Sequence, residues 1–297
     1  MRPDLSYDVG CHKYDNRIDT RSRNPVIIYI NGSPGSMKTI MQSLFSAFSM
    51  YSRIPVPNIQ WSKDSMRYAM CFFPWVGAVI GLLEYLCFLP YQAGVFGALL
   101  YAAVAVTVPV AVTGAIHLDG FMDTCDALSS WRSREERLRI MKDSHTGAKA
   151  VIWVCIYFLL AFGLASEVTE TLIIPLCMIF PLARTYSAYS VVSPYFPKAN
   201  PEGTLAAFSD TAEKKTVRVV CLCYLVLIAV LMIFTGGLPG VCICGTGLAS
   251  FFLYRHICMK YFGGTTGDLA GFFVTYSELL MLAAGVIAAA VCRWAAV

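Results

Sequence analysis

The sequence predicts an all-α integral membrane protein, a polytopic bundle of about seven transmembrane helices whose cytoplasmic loops form the active site. Three observations carry this. Of 297 residues, 57% are hydrophobic and only 14% charged, against about 25% charged in soluble proteins, and mean hydropathy is +0.60. The apolar residues fall into seven runs, at 68–89, 94–116, 150–166, 171–193, 217–236, 239–254 and 273–291, most of them near the ~20 residues needed to cross a bilayer as a helix. Basic residues alternate between the connections. Arg53, Lys63 and Arg67 precede the first run. Arg132, Arg134, Arg137, Arg139, Lys142 and Lys149 lie between the second and third. Lys198, Lys214, Lys215 and Arg218 lie between the fourth and fifth, and Arg255 and Lys260 between the sixth and seventh. The other connections, 90–93, 166–170 and 237–238, carry none. Lys/Arg-rich loops stay on the cytoplasmic side. The expected topology has a cytoplasmic N-terminus, an outside C-terminus and a multi-pass location in the cell (inner) membrane.

Taken in order, residues 1–36 read as a polar extension, disordered or not native, with residues 37–297 as a single transmembrane catalytic domain. Gly32 to Thr39 faintly matches a phosphate-binding loop, but Met37 stands where the glycine before the lysine belongs. Residues 37–51 place Ile40, Met41, Leu44, Phe45 and Phe48 on one helical stripe, as expected of an amphipathic helix at the membrane surface. The two prolines of Ser52-Arg-Ile-Pro-Val-Pro57 end it. The 12 cysteines contain no Cys-x-x-Cys pair, so neither disulfides nor zinc are expected. A net charge of +4 without a basic block argues against nucleic acid as a partner.

The stretch Gly114 to Lys149 holds the densest chemistry. Asp119, Asp123 and Asp126 stand at i, i+4 and i+7, on one face of a helix. Three like charges there repel unless a cation lies between them, and oxygen-only ligands suit Mg²⁺. Ser133 and Glu136 form a capping box for a short helix with Glu135/Arg139 and Arg139/Asp143 pairs. Lys142, Asp143, His145 and Gly147 follow it. His145 suits a base or a phosphate donor, and His117 reads equally as a helix-end residue or a ligand. A proline-broken loop carries Lys198 and Glu202, and a glycine-rich stretch carries Gly263, Gly264 and Asp268. Arg184 lies inside the fourth run, where an ionisable group is a functional candidate by default. Glu84 qualifies too, towards the outer end of the first run. Carboxylates for Mg²⁺, scattered cations and glycine loops together favour transfer of a phosphorylated group. No Gly-x-Ser-x-Gly or His-Glu-x-x-His motif is present.

Several stretches together resemble the cobalamin synthase family, the adenosylcobinamide-GDP ribazoletransferases. They are Ser52 to Pro57, Phe73-Pro-Trp-Val-Gly77 with Gly81, His117-Leu-Asp-Gly-Phe-Met-Asp-Thr-Cys-Asp126, Arg137-x-x-x-Met-Lys-Asp-Ser-His-Thr-Gly147, Pro201-Glu-Gly203 and Gly263-Gly-Thr-Thr-Gly-Asp268. The resemblance runs from about Met37 to the C-terminus. Leu118, Cys125 and Ala127 depart from the family's usual Glu, Ala and Gly but leave the aspartates intact. The resemblance implies an Mg²⁺-dependent membrane enzyme of vitamin B12 biosynthesis. The ribose hydroxyl of α-ribazole, or of its 5′-phosphate, attacks the phosphate on cobinamide of adenosylcobinamide-GDP, and GMP leaves. It implies Asp119, Asp123 and Asp126 as metal ligands, and Asp143 or Asp126 as acceptor of the hydroxyl proton. Lys142 and Arg184 stabilise the leaving group, and His145 completes the catalytic set. Arg53, His117, Lys198, Glu202, Gly263, Gly264 and Asp268 contact substrate. The lipid bilayer is a constant partner, and homo-oligomers or contacts with other cobalamin-pathway enzymes are compatible with it. Two alternatives compete. A CDP-alcohol phosphotransferase also spaces aspartates on helices but wants Ala-Arg after Asp-Gly, where Phe121-Met122 stands here. A transporter would line a path with intramembrane charges, whereas these gather in loops.

Overall fold

A computed structural model of the chain describes residues 37–57 and 62–295; the expectations for residues 1–36 lie outside the described residues. The helices are α1 Met37–Tyr51, α2 Lys63–Met66, α3 Ala69–Gln92, α4 Ala98–Thr113, α5 Ile116–Ser129, α6 Arg134–Ile140, α7 Ala148–Ser166, α8 Glu170–Cys177, α9 Ile179–Val192, α10 Thr204–Thr211, α11 Lys214–Ile257 and α12 Gly267–Ala295. Among the described residues the only extended pairing is an isolated bridge between Lys198 and Thr265.

Among the described residues five segments are long and apolar enough to cross a membrane, and a sixth is formed if α4 and α5 are joined across their 96° bend. One of the five, Lys214–Phe262, has 49 residues. A straight helix of that length would run roughly 74 Å, more than twice the ~30 Å hydrocarbon core. It is not straight. Gly237 has φ 56° and ψ −131°, a backbone state open mainly to glycine. Cys244 Sγ lies 3.9 Å from Met232 Sδ, although twelve residues of straight helix would separate them by about 18 Å. The backbone at Gly240 also lies directly against the Met232 carbonyl. The segment is therefore a tight helical hairpin, and its arms are the two runs expected at 217–236 and 239–254. With the two arms counted separately, the segments able to cross are α3, α7, the α8–α9 pair, both arms of α11 and α12, and α4 joins them only together with α5.

Without a hydrophobic drive between helices in lipid, small residues set close packing. Gly77 and Gly81, one helical turn apart on α3, meet the backbones of Phe180 and Cys177; a Cβ on Gly77 would stand 2.5 Å from the Phe180 carbonyl oxygen. The same logic orders α1. Its buried residues are Thr39, Gln42, Ser43, Ser46 and Ala47, which fit the adjoining α3. Ile40 and Met41 of the apolar stripe point outward, as a membrane-surface helix requires.

The basic connections all lie at one end of the bundle and are tied to each other. Arg67 pairs with Glu213 at 2.8 Å, Ala199 N–H donates to the Thr265 carbonyl at 3.0 Å, and Arg255 Nε donates to the Tyr195 carbonyl at 3.2 Å. Ser133 caps α6 through the Glu136 N–H, as expected. Arg139, however, pairs with Glu136 at 2.6 Å rather than with Glu135 or Asp143, because the i, i+3 partner lies nearest on this short helix.

Candidate active site

The acidic helix α5 owes its position to two consecutive left-handed residues. Gly114 (φ 63°) and Ala115 (φ 66°) turn the chain sharply at the end of α4. Arg53 N–H donates to the Val112 carbonyl at 2.7 Å, and the Arg53 side chain lies directly over Gly114, where no Cβ would fit. The loop Ser52–Pro57 thus braces the bend. Arg53 braces the bend and lines neither cleft described below.

Beyond the bend, α5 runs across the ends of the spans rather than along them. Gly120 lies against the backbone of Asp268 at the start of α12, and Gly271 lies against His117. At its far end, Lys149 at the start of α7 donates to the Ser129 carbonyl. Phe121, Thr124, Cys125 and Ala127 face inward. Asp119 is exposed and Asp123 and Asp126 are half-buried. Gly147 abuts the Asp126 carboxylate so closely that a Cβ would overlap it, which explains a glycine at that point of the loop.

The glycine contacts between α5 and α12 bring Asp268 into the acidic group. Asp123 has its pKa raised from 3.8 to about 6, chiefly by burial, then by the charges of Asp119, Asp268 and Asp126. Among the described residues, no three His, Cys, Asp or Glu side chains converge tightly enough to hold an ion on their own. The donor set still fits Mg²⁺, which keeps several waters and takes one or two carboxylates together with substrate phosphates.

Two clefts open beside this rim and share one wall. The narrower, of about 170 Å³, is lined by His117 and Asp119 with Tyr51, Phe73 and Ser187. The wider, of about 640 Å³, is lined by Lys142, Asn200, Glu202, Thr265 and Thr266. Leu205, Gly267 and Asp268 belong to both. His117 is buried, its ring 5.6 Å from that of Phe73 and stacked at 6.4 Å on Tyr51, and neither ring nitrogen has a partner. Burial, with a smaller effect from Arg184, holds its pKa well below the usual value. A neutral imidazole at neutral pH offers one donor and one acceptor.

Other expected site residues stand elsewhere. Arg184 is 1% exposed and its Nη1 is 2.6 Å from Glu278 Oε1 inside the bundle, since a guanidinium away from water needs an anion. It lines neither cleft and is held in an internal ion pair. His145 and Asp143 are both exposed, 2.7 Å apart, and line neither cleft. Lys198 is turned inward and donates to the Val191 carbonyl at 2.7 Å, closing the end of α9. Burial, then the charge of Lys214, pushes its pKa down to about 8. Gly264 packs on the Lys198–Ala199 backbone, while Gly263, at φ 73°, lies under the Arg134 guanidinium; both shape the loop. Asn200 and Leu205 lie outside the expected site residues, and Thr265 and Thr266 enter only within the Gly263–Asp268 stretch. They carry no periodic or charge signal and are brought to the wider cleft only by the pairing of the 198–204 and 263–267 loops.

Comparison with known proteins decides the family. The family described as CobS, cobalamin-5-phosphate synthase, matches residues 43–286. The chain belongs to this family. It is 42% identical over 248 residues to the adenosylcobinamide-GDP ribazoletransferase of Lachnoclostridium phytofermentans, covering 84% of this chain and 94% of that one. It is 34% identical over 245 residues to the protein of the same name from Clostridium perfringens strain SM101, covering 82% and 96%. For the Desulfitobacterium hafniense protein of that name, the identity is 32% over 247 residues. No solved structure matches. Membership of the cobalamin-5-phosphate synthase family sets aside the CDP-alcohol phosphotransferase and transporter readings.

The acidic rim of this family member makes its stability depend on pH in a definite direction. The folded state holds the Asp123 proton more tightly than the unfolded chain does. That contribution is complete below about pH 4 and is lost as pH rises through about 6. In chelator, the thermal midpoint of the wild type should fall across this window, and Asp123→Asn should remove that part of the fall.

Proposed function

We propose that the chain joins α-ribazole, or its 5′-phosphate, to adenosylcobinamide-GDP and releases GMP, in an Mg²⁺-dependent reaction at the cytoplasmic face of the cell membrane. The observation that carries this is Asp268. It belongs to the acidic rim and to the shared wall of a nucleotide-sized polar cleft and a narrower one.

Asp119, Asp123 and Asp126 would hold the ion. Mg²⁺ supplies charge neutralisation on phosphoryl oxygens, which is most of what phosphoryl transfer needs. In the wider cleft, Lys142 donates to the phosphate of the departing GMP, and Glu202 and Asn200 take the hydroxyls and base edges of the nucleoside. A volume of about 640 Å³ suits that nucleotide portion and leaves the bulky corrinoid at the surface. The ribose oxygen of the acceptor forms its bond to the cobinamide-linked phosphorus as the bond from that phosphorus to the GMP oxygen breaks. Asp268, at the wall where the two clefts meet, takes the hydroxyl proton in place of Asp143 or Asp126. Neutral His117 orients the acceptor by a hydrogen bond from the narrower cleft. The basic connections, all at the end of the bundle that holds the clefts, support a cytoplasmic site.

The test is GMP release by the purified protein in detergent, given adenosylcobinamide-GDP and α-ribazole 5′-phosphate. Release that requires both acceptor and Mg²⁺ supports the reading. Release without Mg²⁺ would keep the transfer and remove the metal. No release from a folded sample would overturn it.

A further inference from the structure

Residues of α3, α4, α7, α8, α9 and α12 line a further, half-open cavity that shares no lining residue with either cleft. Its volume is about 80 Å³, room for several waters at ≳10–15 Å³ each. The wall is mostly apolar, but Glu84 and Glu278 both line it, with Tyr101 and Tyr157 beside them. The two carboxylates are close enough for their charges to interact.

The charges there do not balance. Among the described residues Arg184 is the cation beside these carboxylates, and its charge is paired with Glu278, although its Nε has no partner. Its Nη1 is 2.6 Å from Glu278 Oε1 and donates to the Phe180 carbonyl at 3.0 Å. Glu84 is 5% exposed, and its Oε1 has no hydrogen-bond partner. The other titratable groups around Glu84 are Glu278 on α12, Tyr101 on α4, Tyr157 on α7, Cys177 on α8 and Cys87 on α3 itself. None of these is a base that could carry positive charge. Two carboxylates against one guanidinium leave one negative charge among buried side chains, which is unfavourable when nothing compensates it.

We propose that this cavity binds one monovalent cation, a proton or an alkali-metal ion, at the Glu84 carboxylate. The chemistry is the same for both: one positive charge neutralises the surplus of Glu84, Glu278 and Arg184. The alkali ion would take carboxylate oxygens, the tyrosine hydroxyls that line the cavity, and water. The site is separate from the Mg²⁺ rim and does not rest on the transferase reading.

The test uses the full chain in detergent and sodium ion as the probe. The thermal midpoint is followed as NaCl replaces choline chloride at constant ionic strength, for the wild type and for Glu84→Gln. Infrared spectra at neutral pH report protonated carboxyl groups in both. A saturable rise of the wild-type midpoint with Na⁺, absent in Glu84→Gln, establishes the alkali ion. A midpoint indifferent to Na⁺, with a protonated-carboxyl band that disappears in Glu84→Gln, establishes the proton. A wild-type protein that responds to Na⁺ no more than to choline and shows no protonated carboxyl overturns the proposal, and that outcome is read on the wild type alone.

Discussion

Asp123→Asn is expected to lower GMP release on the order of a thousandfold, the upper range for removing one preorganised electrostatic contact to a transition state. The surroundings of this position oppose its charge. Burial and the charges of Asp119, Asp268 and Asp126 together raise its pKa to about 6, so the protein maintains there a charge that its own neighbours oppose. An amide of the same shape relieves that repulsion. The variant should therefore fold, with a thermal midpoint in chelator at or above that of the wild type at neutral pH. A normal midpoint with lost turnover locates the defect in chemistry. Near-normal turnover would remove Asp123 from the site. Asp268→Asn should separate the two roles proposed for the rim. If Asp268 takes the proton, its loss lowers kcat with little change in the Mg²⁺ concentration needed for half-maximal rate.

The second large effect is on stability. Arg184→Met is expected to destabilise the protein by about 3–5 kcal/mol, the range for breaking one side of a buried ion pair. Glu278, itself 10% exposed at the side chain, would be left uncompensated beside Glu84. The double variant Arg184→Met/Glu278→Met should regain most of the loss, since paired removal takes out both desolvation penalties at once. Denaturant titration of the three proteins in one detergent measures the coupling. GMP release by the double variant bears on the other half of the claim. Arg184 lines neither cleft, so turnover should persist. Loss of transfer in a stable double variant would return Arg184 to the leaving group.

Much of the architecture was legible because it rests on quantities that a sequence carries directly. Apolar length marks a span and Lys/Arg placement marks its sidedness. Even the hairpin of α11 was readable as two runs, since Gly236-Gly237 and Pro239 interrupt an otherwise continuous apolar stretch. The acidic face of α5 was readable from spacing, because i, i+4 and i+7 is a property of one helix. Arg184, Lys198 and Asp268 show where such reading stops. Arg184 was visible as a charge in a span, but its partner lies 94 residues away on α12. Lys198 sits in a loop rich in site residues, yet its ammonium turns inward to carbonyls of its own segment.

The sequence by itself determined the membrane class, the grouping of the basic connections, the family and the aspartate face, all set by local composition and spacing. Only the tertiary structure decided that Asp268 joins that face, that Arg184 belongs to Glu278, and that the 198–204 and 263–267 loops build a cleft with Lys142. These depend on where glycines let backbones touch. Gly120 against Asp268 and Gly271 against His117 bring α5 onto α12, and a contact between distant segments leaves no periodic trace in either of them.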